Sequence, residues 1–164
     1  MKKVRFSDTD LYVSRILLGT GNFKAKLSKE AAFDVMSSYV EAGGNFIDTA
    51  NFYCRWLPDT DNCAEQFIGE WLRKEGHRKD VVIATKGGHP HALTGRWRAD
   101  REHITEDLEE SLRTLGVDCV DLYWFHRDNK DLPIEERGTV LFSPFCYNPQ
   151  RQGDGSLSPL MLIP

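Results

Sequence analysis

Gly44-Asn45-Phe46-Ile47-Asp48-Thr49-Ala50-Asn51-Phe52-Tyr53 reads as the end of a helix, a short buried strand and the start of a polar loop. The preceding Gly43 and Gly44 itself suit a helix stop, because glycine enters left-handed backbone without a steric penalty. Phe46 and Ile47 run apolar into Asp48, and Tyr53 follows five residues later. One acid at one strand end is structural as often as functional. Two further segments change that balance. Val81-Val82-Ile83-Ala84-Thr85-Lys86 and Val120-Asp121-Leu122-Tyr123-Trp124-Phe125-His126 also end on ionisable residues. As parallel neighbours, the three strands would line up Asp48, Lys86 and His126 on one sheet rim, with Tyr53 on a loop above. The carboxyl-end rim is where parallel α/β folds bind ligands.

Helical periodicity fills the gaps between these strands. Ala32, Val35, Met36, Tyr39 and Val40 repeat at i, i+3, i+4, i+7 and i+8, behind Ser28 as N-cap and Glu30 in the first turn. Ala64, Phe67, Ile68, Trp71 and Leu72 repeat the spacing before Gly76, and Ile104, Leu108, Leu112 and Leu115 precede Gly116. Upstream, a hairpin or cap around Val4–Phe6 leads into a first strand at 15–18 and then Gly19-Thr20-Gly21. The order β-α-β-α-β-α-β calls for parallel crossovers. Two βα loops, 51–61 and 87–99, are long, and long loops on one side of a sheet are where function concentrates. The second carries His89 and His91, two potential metal ligands without an evident third. After a helix start at 133–136 the pattern stops. Residues 137–164 show neither helical nor strand period and read as an irregular tail.

The totals narrow the function class. A net charge of −4 over 164 residues argues against nucleic acid as partner, since phosphate contacts need clustered Lys and Arg. No apolar run reaches the length of a membrane span, and no apolar stretch follows the charged N-terminus, so a cytoplasmic location is expected. Cys54, Cys63, Cys119 and Cys146 lack CxxC or metal-ligand spacing and are expected as reduced thiols.

Four separated motifs together resemble the N-terminal half of an aldo-keto reductase: Leu18-Gly19-Thr20-Gly21, Phe46-Ile47-Asp48-Thr49-Ala50 through Tyr53, Ala84-Thr85-Lys86, and Asp121 through His126. Leu112-Arg113-Thr114-Leu115-Gly116-Val117-Asp118 resembles that family's approach to its fourth strand. The likeness covers roughly residues 3–136, which sets a domain of 1–136 and a non-homologous tail of 137–164. It implies a partial (β/α)8 TIM barrel of about four βα units behind an N-terminal β-hairpin. The implied activity is reduction of a small aldehyde or ketone by NADPH, NADH not being excluded, without a metal. Tyr53 would be the proton donor, with Asp48, Lys86 and His126 beside it. Gly19, Thr20, Gly21 and Asp48 would adjoin the cofactor, and Phe23 and His126 the substrate.

The chemistry asks for such a set. Hydride delivery to a carbonyl carbon builds charge on oxygen, which an acid must neutralise. An ammonium about 4 Å from a phenol favours loss of the phenolic proton by roughly 4 kcal/mol at an effective dielectric near 20, against which desolvation works. Asp48 would hold the Lys86 ammonium, and His126 would orient the substrate oxygen. The competing reading is an ion pair closing a barrel mouth. A complete barrel of this kind needs about 250 residues. A truncated chain with impaired turnover is therefore expected, with self-association through exposed strand edges, or a non-catalytic half-barrel serving as a binding or assembly module.

Overall fold

The computed structural model describes residues 1–127, Asn129 and the backbone of 145–146. An antiparallel hairpin, β1 (Lys3–Arg5) and β2 (Tyr12–Ser14), opens the chain with Lys3 opposite Ser14. Then come β3 (Leu18–Gly19), α1 (Lys29–Glu41), β4 (Phe46–Asp48), α2 (Cys63–Glu75), β5 (Val82–Gly87) and α3 (Arg101–Leu115). They are followed by β6 (Cys119–Val120), β7 (Leu122–Phe125) and β8 (Phe145–Cys146). Four strands form one parallel sheet in the order β3-β4-β5-β7. The alternation of strand and helix is that of part of a (β/α)8 barrel.

The helices begin and end for local reasons. Ser28 accepts the Ala31 N–H (3.2 Å) ahead of α1, and Asp100 accepts the His103 N–H (3.1 Å) ahead of α3. Gly76 and Gly116, at φ 76° and 66°, close α2 and α3 in the left-handed region that glycine favours.

Strand alternation then builds two distinct cores. Ile47, Ile83 and Tyr123 face the helices and pack with Met36, Ile68, Trp71, Leu112 and Leu115. Phe46, Val82, Ala84 and Leu122 face the other way, where Val13, Phe6 and Leu11 of the hairpin cover them together with Trp124. Asp48, Lys86 and His126 continue that second file, since residues two apart on a strand share a face. The barrel-facing stripe is thus apolar at the hairpin end and ionisable at the carboxyl end. Gly87 closes β5 in a tight place: a Cβ there would collide with the Tyr123 hydroxyl and the Asp107 Cβ.

Three expectations change in detail. The first sheet strand is Leu18–Gly19 only, and Ile16 and Leu17 are exposed. The run from 120 to 126 is split at Asp121, whose carboxylate accepts the Ile83 N–H (2.8 Å) and so replaces a backbone ladder partner. Cys54 and Cys63 are free, whereas Cys119 is disulfide-bonded. Antiparallel pairing sets position 119 opposite position 146, a proximity that linear spacing does not reveal. The expected helix start at 133–136, the boundary after 136 and the tail lie outside the described residues, β8 excepted. No helix among the described residues is long and apolar enough to cross a membrane.

Candidate active site

Lys86 sits on the last full turn of pleat in β5, and its Nζ is the hub of the site. It donates to Asp48 Oδ2 at 2.7 Å, to the Thr49 carbonyl at 2.6 Å and to the Tyr53 hydroxyl at 3.1 Å. An ammonium has three hydrogens, and here each has an acceptor. Asp48 and Lys86 are about one-fifth exposed, so the pair is shielded but not sealed. The Lys86 ammonium also lies 4.7 Å from the centre of the Tyr53 ring. Acid, amine and phenol converge on one small volume, the acid and phenol from β4 and the loop after it and the amine from β5, more than 30 residues on.

His126 completes the group from the end of β7. Its backbone N–H donates to the Gly87 carbonyl (2.7 Å), extending the pairing of β5 with β7 by one rung. The imidazole stands edge-on to the Tyr53 ring, centroids 5.8 Å apart. Burial, then His89 and the Lys86 cation, push its pKa down to about 4, so the ring is neutral near pH 7. Its Nδ1 is buried without a hydrogen-bond partner among the described residues. A buried polar nitrogen of this kind is costly unless something binds to it.

Aromatic rings wall the remainder of the mouth. Phe52 stacks on His89 at 3.5 Å, and His89 meets His126 edge-on at 4.7 Å. Trp56, half exposed, lies 6.1 Å from both Phe52 and Tyr53. His89 bonds through Nδ1 to the Pro90 carbonyl (2.7 Å). Among the described residues no group of three or more His, Cys, Asp or Glu could hold a metal ion.

This geometry coincides with a sequence match: the model of the Aldo/keto reductase family matches residues 15–141. The chain belongs to the aldo/keto reductase family. The norsolorinic acid reductase of Emericella nidulans is 33% identical over 138 residues, covering 76% of this chain and 34% of that protein. An NADP(+) aryl-alcohol dehydrogenase of Phanerodontia chrysosporium is 32% identical over 148 residues, covering 77% and 36%. Among solved structures, the holo form of an aldo-keto reductase from Bacillus halodurans superimposes with a TM-score of 0.68 at 33% identity, covering 84% of this chain and 44% of that one. The chain spans about a third of the length of the curated relatives it matches.

In this aldo/keto reductase chain the remaining expected residues divide. Thr20 is fully buried and donates through both its backbone N–H and its hydroxyl to the Asp48 carbonyl, each at 3.0 Å. Gly19 is exposed, with open space where a Cβ would stand. Gly21 lies under the Tyr53 ring, 3.7 Å from the position of its missing Cβ. Phe23 is 1% exposed and packs in the helix-facing core, so it offers a bound molecule no surface in this structure.

Sequence reasoning passed over other residues. Phe52 and Trp56 wall the mouth with their place in a long loop as the only signal, and His89, read from the sequence as a potential metal ligand, stacks on Phe52 there instead. Asn51 and Arg55 flank Tyr53 and both bond Glu110, 59 and 55 residues away on α3. Nothing in the linear chain marks that contact.

Proposed function

We propose that this chain carries the catalytic mouth of an NADPH-dependent carbonyl reductase, in which Tyr53 is the proton donor and Asp48, Lys86 and His126 support it. The observation that carries the reading is one nitrogen: Lys86 Nζ within hydrogen-bond reach of Asp48 and Tyr53 at once. The dinucleotide supplies a hydride to the carbonyl carbon when bound. Two features suit its nicotinamide end here: the open space at Gly19 and the His126 Nδ1 that has no partner among the described residues. Gly19, Gly21 and Asp48 would hold that end, and the buried Thr20 would brace the Asp48 backbone from beneath.

The residues of the chain do the remaining work. Asp48 holds the ammonium pointed at the phenol, so the phenolate left after proton transfer meets a positive charge already in place. That preorganisation avoids rearranging solvent at the moment of reaction. His126, neutral because it is buried, donates a hydrogen bond to the carbonyl oxygen without competing for the Tyr53 proton. The rings of Phe52 and Trp56 keep water from the reacting oxygen and suit a planar, apolar substrate. An aryl aldehyde or ketone is the substrate class that fits best, in line with the aryl-alcohol dehydrogenase among the relatives.

The test is NADPH oxidation by the purified chain with a benzaldehyde-type substrate. Turnover that Tyr53→Phe lowers about 1000-fold or more supports the reading. A folded protein with no turnover, or turnover indifferent to Tyr53→Phe, overturns it. A second reading has one observation behind it: β3 and β7 each have a single neighbour in the four-stranded sheet. A half-barrel serving as an assembly module would elute as a stable oligomer and show no dependence on Tyr53.

A further inference from the structure

We propose that Glu110, on α3 and outside the catalytic group, is the positioning residue for the Tyr53 hydroxyl, clamping the turn that carries it from both sides. The inference rests on the reading of Tyr53 as proton donor. A phenol can deliver its proton only if its oxygen is held where the substrate oxygen arrives, and a misplacement of about 1 Å costs on the order of 100-fold in rate. What holds the Tyr53 backbone is therefore part of the catalytic design.

The turn itself is a weak support. Its internal bonds are short-range: Tyr53 N–H to the Ala50 carbonyl (3.1 Å), Arg55 N–H to Phe52 (3.1 Å) and Leu57 N–H to Cys54 (2.8 Å). It also contains a strained residue. Cys54, next to Tyr53, has φ 80°, a left-handed conformation that side chains with a Cβ rarely adopt. Left alone, such a turn would relax, and the residue beside Cys54 would move with it. Some tertiary contact must oppose that relaxation.

Glu110 supplies it. Its Oε1 accepts from Arg55 Nη2 at 2.5 Å, and its Oε2 accepts from Asn51 Nδ2 at 3.0 Å. One carboxylate thus grips the residues two before and two after Tyr53, each with a different oxygen. Both Arg55 and Glu110 are about one-third exposed or less, so the charge-assisted bond is partly shielded from water. The anchor is firm, because α3 is a capped four-turn helix packed on the sheet. Asn51 is itself buried and reinforces the grip on the Asp107 carbonyl (3.2 Å) and Ser111 Oγ (3.4 Å). Its backbone N–H donates to the Lys86 carbonyl (3.0 Å), which ties the start of the turn to the residue that Tyr53 must meet. The distance between phenol and ammonium is therefore set through Asn51, Glu110 and Arg55. Arg55 has a second ionic partner, Asp61 Oδ1 at 3.2 Å from Nε without hydrogen-bond geometry, so loss of Glu110 releases the turn and leaves the guanidinium on this weaker contact.

The experiment combines a reading of position with a reading of rate. In wild-type protein, proton NMR should show a nuclear Overhauser contact between the Tyr53 ring and the Gly21 α-protons. Glu110→Ala is expected to weaken that contact strongly while circular dichroism and contacts in the helix-facing core persist. NADPH-dependent reduction of an aryl aldehyde should lose 10- to 100-fold in kcat with KM within about twofold. Glu110→Gln, which keeps one accepting oxygen, should fall between the two. Arg55→Met should reproduce part of the loss, and adding it to Glu110→Ala should cause little more, because coupled residues are not additive. An unchanged Tyr53–Gly21 contact in Glu110→Ala, unchanged kcat, or fully additive losses would each overturn the clamp. Loss of the NMR contact in a chain that never turns over would leave the clamp standing and sink the reductase reading instead.

Discussion

Neighbouring residues of β5, Thr85 and Lys86, lead into two polar clusters that differ in almost every respect. Lys86 points to the mouth, where an amine, a carboxylate and a phenol meet with a fifth of the ion pair still exposed. Thr85 points to the helices, where its hydroxyl bonds the fully buried carboxyl of Glu65 together with Asn62. The mouth cluster balances opposite charges and stays partly open to solvent. The covered cluster holds one acid with no cation beside it among the described residues, and burial pushes its pKa up to about 7, so the neutral form dominates only below that pH. Polarity alone therefore does not mark a site of chemistry. Opposed charges, an unpartnered group and access to solvent do.

The largest separation of the two clusters should come from Lys86→Met. Turnover of an aryl aldehyde is expected to fall about 1000-fold or more, since a charge aimed at the reacting oxygen is lost. The unpaired Asp48 should cost about 1–3 kcal/mol in a urea melt, less than for a sealed pair because the site is partly exposed. Glu65→Ala should do the reverse. It leaves a cavity and unpartnered Thr85 and Asn62, for a loss of about 3 kcal/mol by the same melt, with kcat per folded molecule within about twofold. Comparable kcat losses in both variants would erase the difference between the two clusters.

A subtler contrast lies in pH dependence. His126 has a folded pKa of about 4, below the usual 6.5, so the unfolded chain binds its proton first and stability falls as pH drops from 6.5 towards 4. Glu65 has a folded pKa of about 7, above the usual 4.5, so the folded chain keeps its proton longer and stability falls as pH rises from 4.5 to 7. Between pH 4.5 and 6.5 the two slopes oppose, each at most about 1.4 kcal/mol per pH unit. The contribution of this pair should be nearly flat in wild-type protein. Glu65→Gln should uncover stability that rises with pH, and His126→Asn stability that falls with it, in denaturant melts across that window. The smallest effect is expected at Leu93, 91% exposed on the loop after β5. Leu93→Ser should shift stability by no more than about 0.5 kcal/mol and leave kcat unchanged.

Much of the mouth was legible because strand alternation is strict. Phe46 to Asp48, Val82 through Ala84 to Lys86, and Leu122 through Trp124 to His126 each step along one face, so ionisable residues at their ends had to share it. Helix periodicity and the glycines after α2 and α3 located the other layer for the same kind of reason. What stayed hidden depends on contacts across long sequence separations. Glu65 sits on the buried stripe of α2 beside Ala64 and Ile68, but only packing against Thr85 explains its tolerance there. Asp121 looked like one more strand residue until its carboxylate was seen taking the Ile83 N–H. Glu110 is one of five acidic residues on α3, and nothing local distinguishes it from the others.

The crowding at Gly87 bears on how such a mouth can be altered. With the Tyr123 hydroxyl and the Asp107 Cβ occupying the place of a side chain, the step beyond Lys86 accepts no other residue without local rebuilding. Attempts to reshape substrate preference should leave that position alone and diversify Phe52, Trp56 and His89, which line the opening but bear none of its ion pairs. Selection acting on this chain would meet the same restriction: novelty enters through the loops, while the end of the central strand stays frozen.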